Sequence, residues 1–257
     1  MTEKPFQIPV SLVEIFLNAN SVAVLTGAGI SAESGVPTFR DAQTGLWEKY
    51  QAEELATPGA FQRDPKLVWE WYEWRRGLIS NSNPNPGHYA LVEMERRYPE
   101  FSLITQNVDG LHKRAGSGAY SPIIELHGNI FRNKCIDENI IVDQWVDTGE
   151  IPPRCPNCGA YLRPDVVWFG EMLPLDSLET AWKVSQSCQV FISVGTSNLV
   201  EPAASLPFMA SRNGATVVEI NPNTTSLSKT ADFHLSGFSG AVLPRIVELL
   251  WGNEDGG

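Results

Sequence analysis

The chain has 257 residues and a mass of 28.4 kDa, which predicts one large domain, or a large domain with a small companion. Apolar residues make up 42% and charged residues 19%, a globular balance that excludes a disordered chain. Nineteen Lys and Arg against 30 Asp and Glu give a net charge of −11, which argues against broad nucleic-acid binding and suits basic partners such as lysine-rich protein segments.

No apolar run reaches the ~18 residues of a membrane span. The first twenty residues lack the apolar block and cleavage site of a signal peptide. Four cysteines are too few for a secreted disulfide scaffold, so a reducing, cytoplasmic setting is expected, with clustered cysteines serving a metal.

In chain order, Pro9 to Asn18 predicts a short helix with Ser11 as its cap. Ser21 to Thr26 reads as a buried strand running into a glycine turn. Phe101 to Thr105, Val190 to Gly195 and Thr216 to Ile220 read as further buried parallel strands. Between them, Asp64-Pro65 caps and opens a helix reaching about Ile79. Gly87 to Tyr98 forms another, and Ala241 to Trp251 a last one. Strands alternating with helices predict an α/β fold, a parallel sheet with helices on both faces. Asn129 to Arg163 breaks that rhythm with clustered turn residues and reads as a small inserted module. The tail from Gly252 to Gly257 reads as disordered.

Six constellations carry chemistry. Gly27-Ala28-Gly29-Ile30-Ser31-Ala32 after a strand fits the dinucleotide fingerprint, in which glycines let backbone approach a pyrophosphate. The acidic residue wanted ~20 positions on finds only Asp41 and Glu48, in a loop-like stretch, which points to another mode of cofactor binding. Gly35 to Arg40 makes a shaped loop whose Arg40 suits a phosphate or carboxylate. Gln106-Asn107-Val108-Asp109 follows a strand, where open α/β sheets place ligand groups. Ile123-Ile124-Glu125-Leu126 reads as a strand-like segment that delivers His127 into a turn with Gly128 and Asn129, and His127 is the best general-base candidate among the four histidines. Cys155-Pro156-Asn157-Cys158, with Cys135 upstream, is a zinc half-site. Gly195-Thr196-Ser197 and Asn221-Pro222-Asn223 end two strands on the edge that carries the glycine loop. Each taken alone also reads as an ordinary turn.

In this order the motifs resemble the sirtuins, NAD-dependent protein-lysine deacylases. The resemblance runs from about Phe16 to Leu250. It rests on Gly27 to Arg40, Gln106 to Asp109, His127-Gly128-Asn129, Cys155-x-x-Cys158, Arg163 to Glu171, Gly195 to Ser197 and Asn221 to Asn223. It implies a Rossmann-like large domain (about 1–47, 80–128 and 164–257) and small-domain insertions (about 48–79, helical, and 129–163, zinc-ribbon-like). NAD is implied as a consumed co-substrate between them. By the same resemblance Gly27, Ala28, Gly29 and Ala32 approach the pyrophosphate side, with Phe39, Arg40 and Gln106 near phosphate and ribose. Asn107 and Asp109 line the nicotinamide pocket. Gly195, Thr196, Ser197, Asn221 and Asn223 hold the adenosine half, with Ser239 near the adenine. Val167, Trp168 and Phe169 pair through backbone with an extended acyl-lysine peptide. The acyl oxygen displaces nicotinamide, and His127 acts as general base on a ribose hydroxyl. The products are free lysine, nicotinamide and an O-acyl-ADP-ribose.

The stretch from Leu55 to Arg75 resembles the branch that removes succinyl and malonyl groups. There Ala56 widens the acyl pocket and Tyr72 and Arg75, three apart on one helix face, read a distal carboxylate. Thr38 stands where many sirtuins carry Asp, as it often does in that branch. Glu138 replaces the expected fourth cysteine. Cys135, Glu138, Cys155 and Cys158 form a zinc set that chemistry permits, the alternative being a module held by packing without metal. A sirtuin-like mono-ADP-ribosyltransferase and a non-catalytic NAD-sensing module are the competing functions. The sequence leaves the oligomeric state open.

Overall fold

In the computed structural model, residues 7–37 and 50–252 are described, Glu53 by its backbone alone. The expectations placed on Thr38, Phe39, Arg40, Asp41, Glu48 and the tail from 253 to 257 fall outside them.

The four predicted strands form, as β1 (Ser21–Thr26), β2 (Glu100–Thr105), β6 (Val190–Val194) and β7 (Thr216–Ile220). They are runs of β-branched and apolar residues with both faces covered, which is what a central parallel strand requires. Two short strands, β3 (Ile124–Glu125) and β8 (Phe233–Leu235), complete a six-stranded parallel sheet in the order β3-β2-β1-β6-β7-β8. The strand-like segment before His127 is found as β3, whereas β8 was not legible, because three residues carry no periodicity. The chain builds outward from β1 to one side, then returns to the other, so β1 and β6 flank the point where the order reverses. Open sheets bind ligands at that crevice.

Alternation along the strands sorts the helices into two layers. Val22 and Val24 of β1 pack with α1 (Val10–Asn18), α6 (Pro86–Arg97) and α10 (Ser239–Trp251), through Phe16, Leu91, Met94, Val242 and Ile246. Ala23 and Leu25 face α8 (Leu175–Ser187) and α9 (Leu206–Arg212), through Ala181, Leu206 and Ala210.

A second body lies between β1 and β6 in the sequence. Helices α3 (Ala52–Leu55), α4 (Pro58–Arg63) and α5 (Pro65–Ser80) pack with the antiparallel pair β4 (Gly128–Cys135) and β5 (Leu162–Val166). Asp64 caps α5 as predicted, its Oδ1 accepting the Leu67 N–H at 2.9 Å. Helix α5 faces two ways: Trp71 and Tyr72 enter the core around Phe61 and Trp168, while Trp69 packs beside Cys135, Cys155 and Leu162.

One capping expectation is corrected. Ser11 lies inside α1, and Pro9 is the N-cap, its carbonyl accepting from Leu12 and Val13. Pro9 holds an extended backbone ahead of the first turn, so the helix starts earlier than a hydroxyl-based reading places it. At α6 the cap is Asn85, whose Oδ1 accepts the Gly87 N–H at 2.9 Å while His88 Nδ1 accepts the Asn85 N–H at 3.3 Å.

Candidate active site

Two backbone segments meet at the sheet's switch point. Gly27 donates its N–H to Val194 and Gly29 to Gly195, at 3.0 and 2.9 Å. A Cβ on Gly29 would lie 2.7 Å from the Gly195 Cα, and Gly195 itself takes φ +60°. These glycines therefore serve the mutual approach of two loops as well as any ligand. Gly27 caps the short helix α2 (Ala28–Ala32) with no side-chain acceptor; the Gly29 and Ile30 amides are bonded to the Gly195 and Gly27 carbonyls, which leaves the Ala28 N–H to face an anion. Ala32 is exposed at its far end.

Asn107 and Asp109 come to the same place from the end of β2. Asn107 Nδ2 donates to the Gly27 carbonyl at 3.0 Å and to Ser31 Oγ at 3.2 Å. Ser31 Oγ donates to Asp109 Oδ2 at 2.7 Å, and the Leu111 N–H to Asp109 Oδ1 at 2.9 Å. Burial pushes the Asp109 carboxyl above its ordinary range. Ser31 is the residue that sequence reasoning missed: it stood in the quoted motif but received no role. Its position one turn after the glycines was the available signal.

His127 sits half-buried between β3 and β4. Its Nδ1 lies 2.9 Å from the Gln106 carbonyl, and a carbonyl only accepts, so Nδ1 carries the proton and Nε2 presents a lone pair. Burial lowers its pKa, so the ring is neutral at pH 7. The next residue must be glycine: Gly128 takes φ +80°, and a Cβ there would lie 2.1 Å from the Asp165 carbonyl oxygen.

The loop after β5 ties His127 to the helical body. The Val167 N–H donates to the His127 carbonyl at 3.0 Å, and the Phe169 N–H to the Ala56 carbonyl at 2.9 Å. The Trp168 indole donates to the Tyr72 hydroxyl at 2.9 Å. Thus His127, Val167, Phe169, Ala56, Trp168 and Tyr72 are joined within a few bonds, although they come from three separate stretches of sequence. Arg75 is 9% exposed, with its guanidinium carbon 5.3 Å from the Trp71 ring centroid. Burial lowers its pKa, and the neighbouring Tyr72 acts in the opposite sense.

On the far side of the switch point, Asn221 Nδ2 donates to the Thr196 carbonyl at 2.8 Å, and the Asn223 N–H to Asn221 Oδ1 at 3.0 Å. Thr196 is buried, whereas Ser197 and Asn223 are exposed at the strand ends. Ser239 begins α10 and donates to Glu33 Oε2 at 3.0 Å, so its hydroxyl already has a protein partner.

Cys135, Glu138, Cys155 and Cys158 converge, with their ligand atoms all within 4.8 Å of one another. The Cys135 and Cys158 sulfurs are 3.4 Å apart, and Cys155 Sγ is 3.4 Å from Glu138 Oε2. A tetrahedral zinc with Zn–S near 2.3 Å needs sulfurs about 3.8 Å apart, so the donor set fits a structural zinc. Cys188 lies elsewhere, buried, its thiol pushed up to about 11 by burial.

Comparison with known proteins agrees with this geometry. The family model described as "Sir2 family" matches residues 27–202. The NAD-dependent protein deacylase of Aquifex aeolicus (strain VF5) is 53% identical over 231 residues, covering 90% of this chain and 95% of that one. A solved Sir2 homologue in complex with NAD superposes with a TM-score of 0.88 at 43% identity, over 96% of each chain. A Sir2 protein bound to acetylated peptide superposes with a TM-score of 0.81 at 29% identity, covering 93% of this chain and 96% of that one. With a match across the glycine loop, the histidine turn and the cysteine module, this chain belongs to the Sir2 family, the sirtuins.

Proposed function

We propose that this protein is an NAD-dependent protein-lysine deacylase that removes succinyl and malonyl groups as well as acetyl. One observation carries the reading: a single hydrogen-bonded loop connects the base His127 to Ala56 and to Tyr72, the residues that would read the acyl group. The relatives support the general activity, being named NAD-dependent protein deacylases or solved with NAD and with acetylated peptide.

In this reading NAD lies between the sheet edge and the small helical and cysteine-bearing bodies, and supplies the electrophilic sugar carbon and the nicotinamide leaving group. The Ala28 amide and the side-chain-free backbone of Gly27 and Gly29 serve the pyrophosphate, with Ala32 and Gln106 on the same side; the family resemblance assigns Phe39 and Arg40 to the same cofactor. Gly195, Thr196, Ser197, Asn221, Asn223 and Ser239 serve the adenosine half. Asn107 and Asp109, cross-linked by Ser31, hold the nicotinamide amide. His127 keeps Nδ1–H on Gln106 and takes a hydroxyl proton at Nε2. Backbone carbonyls along Val167, Trp168 and Phe169 accept from an extended peptide, the three N–H groups being held within the protein. Cys135, Glu138, Cys155 and Cys158 hold zinc, which fixes the module without entering the chemistry.

Buried thiols and a cysteine-rich ligand set suit a reducing compartment, the cytoplasm. No helix among the described residues is long and apolar enough to cross a membrane.

The test is a panel of acetyl-, succinyl- and malonyl-lysine peptides with NAD, reading free lysine and nicotinamide. Arg75→Met and Tyr72→Phe should weaken succinyl turnover by roughly 1.5–3 kcal/mol of charged hydrogen bonding while sparing acetyl turnover. Equal losses on both substrates refute the carboxylate clamp. Transfer of label from NAD to protein without lysine release would point to an ADP-ribosyltransferase.

A further inference from the structure

The acyl-reading tyrosine has a partner that its proposed role does not require. Tyr72 and Trp168 are both 1% exposed, and the indole N–H meets the phenol oxygen at 2.9 Å. An indole can only donate, so the direction of this bond is fixed. The Tyr72 oxygen is the acceptor, and its single proton must be given elsewhere. Burial raises the phenol's pKa, so that proton is present at all working pH values.

Trp168 is held so that it cannot turn away. The Arg163 guanidinium carbon lies 3.2 Å from the indole centroid. Glu171 Oε2 accepts the Trp168 backbone N–H at 2.8 Å and is itself paired with Arg163. Phe61 packs with its ring centroid 5.3 Å from that of Trp168. Neighbouring side chains alternate in direction along an extended segment, and here Phe169 is 48% exposed while Trp168 is buried. The Val167, Trp168 and Phe169 N–H groups are taken by His127, Glu171 and Ala56, so what this loop can offer a peptide is backbone carbonyl oxygen, while its central indole is given to Tyr72.

We propose that the Trp168 indole is a positioning residue for acyl selectivity, occupying the acceptor side of Tyr72 so that the phenol proton is presented to the distal carboxylate of the acyl group. The proposal rests on the acid-acyl reading above. A hydroxyl that accepts one hydrogen bond becomes a better donor in the next, and acetyl, with no distal acceptor, gains nothing from the arrangement. Glu171 and Arg163 act through Trp168 in the same device.

The test compares kcat/KM for succinyl- and acetyl-lysine peptides of one sequence in wild type, Trp168→Phe, Tyr72→Phe and the double variant. Trp168→Phe should lower the succinyl-to-acetyl ratio by about 2- to 12-fold, the worth of one ordinary hydrogen bond, chiefly through KM for the succinyl peptide. The double variant should show no greater loss of ratio than Tyr72→Phe. Equal loss on both peptides, or additive losses in the double variant, overturns the indole's role. A wild type that leaves succinyl-lysine intact overturns the acid-acyl reading itself. Efficient succinyl removal with an unchanged ratio in Trp168→Phe overturns only the indole's role. Because Trp168 is a core residue, the folded wild type supplies a second measurement. With ¹⁵N-labelled tryptophan, the indole signal that shifts in Tyr72→Phe should move further when succinyl peptide binds than when acetyl peptide of the same sequence binds, since both lie along the Trp168 backbone. Identical movement with both peptides overturns the proposal.

Discussion

A base in an enzyme of this kind must be neutral and correctly protonated before substrate arrives. In His127 two features share this work: the Gln106 carbonyl fixes the proton on Nδ1, and burial lowers the pKa against the opposing effect of that hydrogen bond. The acid limb of the rate profile should therefore fall below the ordinary histidine value of 6.5, with activity lost as pH drops through the depressed pKa. His127→Ala should remove that limb and reduce turnover by ~10²–10⁴-fold, read as nicotinamide-coupled lysine release. Unchanged turnover in this variant would remove the histidine from the mechanism. Burial disfavours the charged form of Asp109 too, but there the charged form is the deprotonated one, so the pKa rises; Ser31 and the Leu111 amide offset part of that penalty.

Among the elements, α5 does the most to relate chemistry to fold. Its start is set by the Asp64 cap and Pro65, and its register puts Tyr72 in the core with Phe61 and Trp168, and Trp69 against the cysteine module. Under the proposed acyl-reading role of Tyr72 and Arg75, a change in the module reaches them through this one helix. If zinc holds Cys135, Glu138, Cys155 and Cys158, the purified protein should contain about one equivalent by elemental analysis. Chelation should lower Tm, and Glu138→Cys should retain the metal more tightly, because thiolate is the softer ligand. Less than about a tenth of an equivalent would mean that packing alone holds the module.

For the whole molecule, stability carries a signature of two histidines that the proposed chemistry does not use. His88 and His112 are buried with ring centroids 4.9 Å apart, joining α6 to α7 (Leu111–Ala115). His112 Nε2 lies 2.9 Å from Thr26 Oγ1, so the pair also reaches the end of β1. Burial pushes their pKa values down to about 4 and about 3. Below about pH 6.5 the unfolded chain takes up protons that the native pair excludes, so stability falls as pH drops from there toward 4. The denaturant midpoint should decline across this window with a slope approaching two protons. A flat profile would mean that these rings are accessible to protonation in the native state.

Much of the architecture was legible because it depends on local pattern. Four buried strands, the capped α5 and the cysteine module follow from runs of apolar residues, from Asp64-Pro65 and from C-x-x-C spacing. The ordered motifs also identified the family. The short strand β8 was not legible, since pairing with β7 makes it a strand. Ser11 misled because a hydroxyl near a helix start is a statistical signal, and Pro9 had already set the backbone. The amino-acid sequence by itself determined which chemical groups are present and in which order along the chain. Only the tertiary structure decided that Ser31 bridges Asn107 and Asp109, that Gly29 is needed against Gly195, and that an indole 96 residues from Tyr72 donates to its hydroxyl. Those contacts join distant segments through hydrogen bonds and close backbone approach. Their geometry exists only once the sheet and the helical body have brought the segments together.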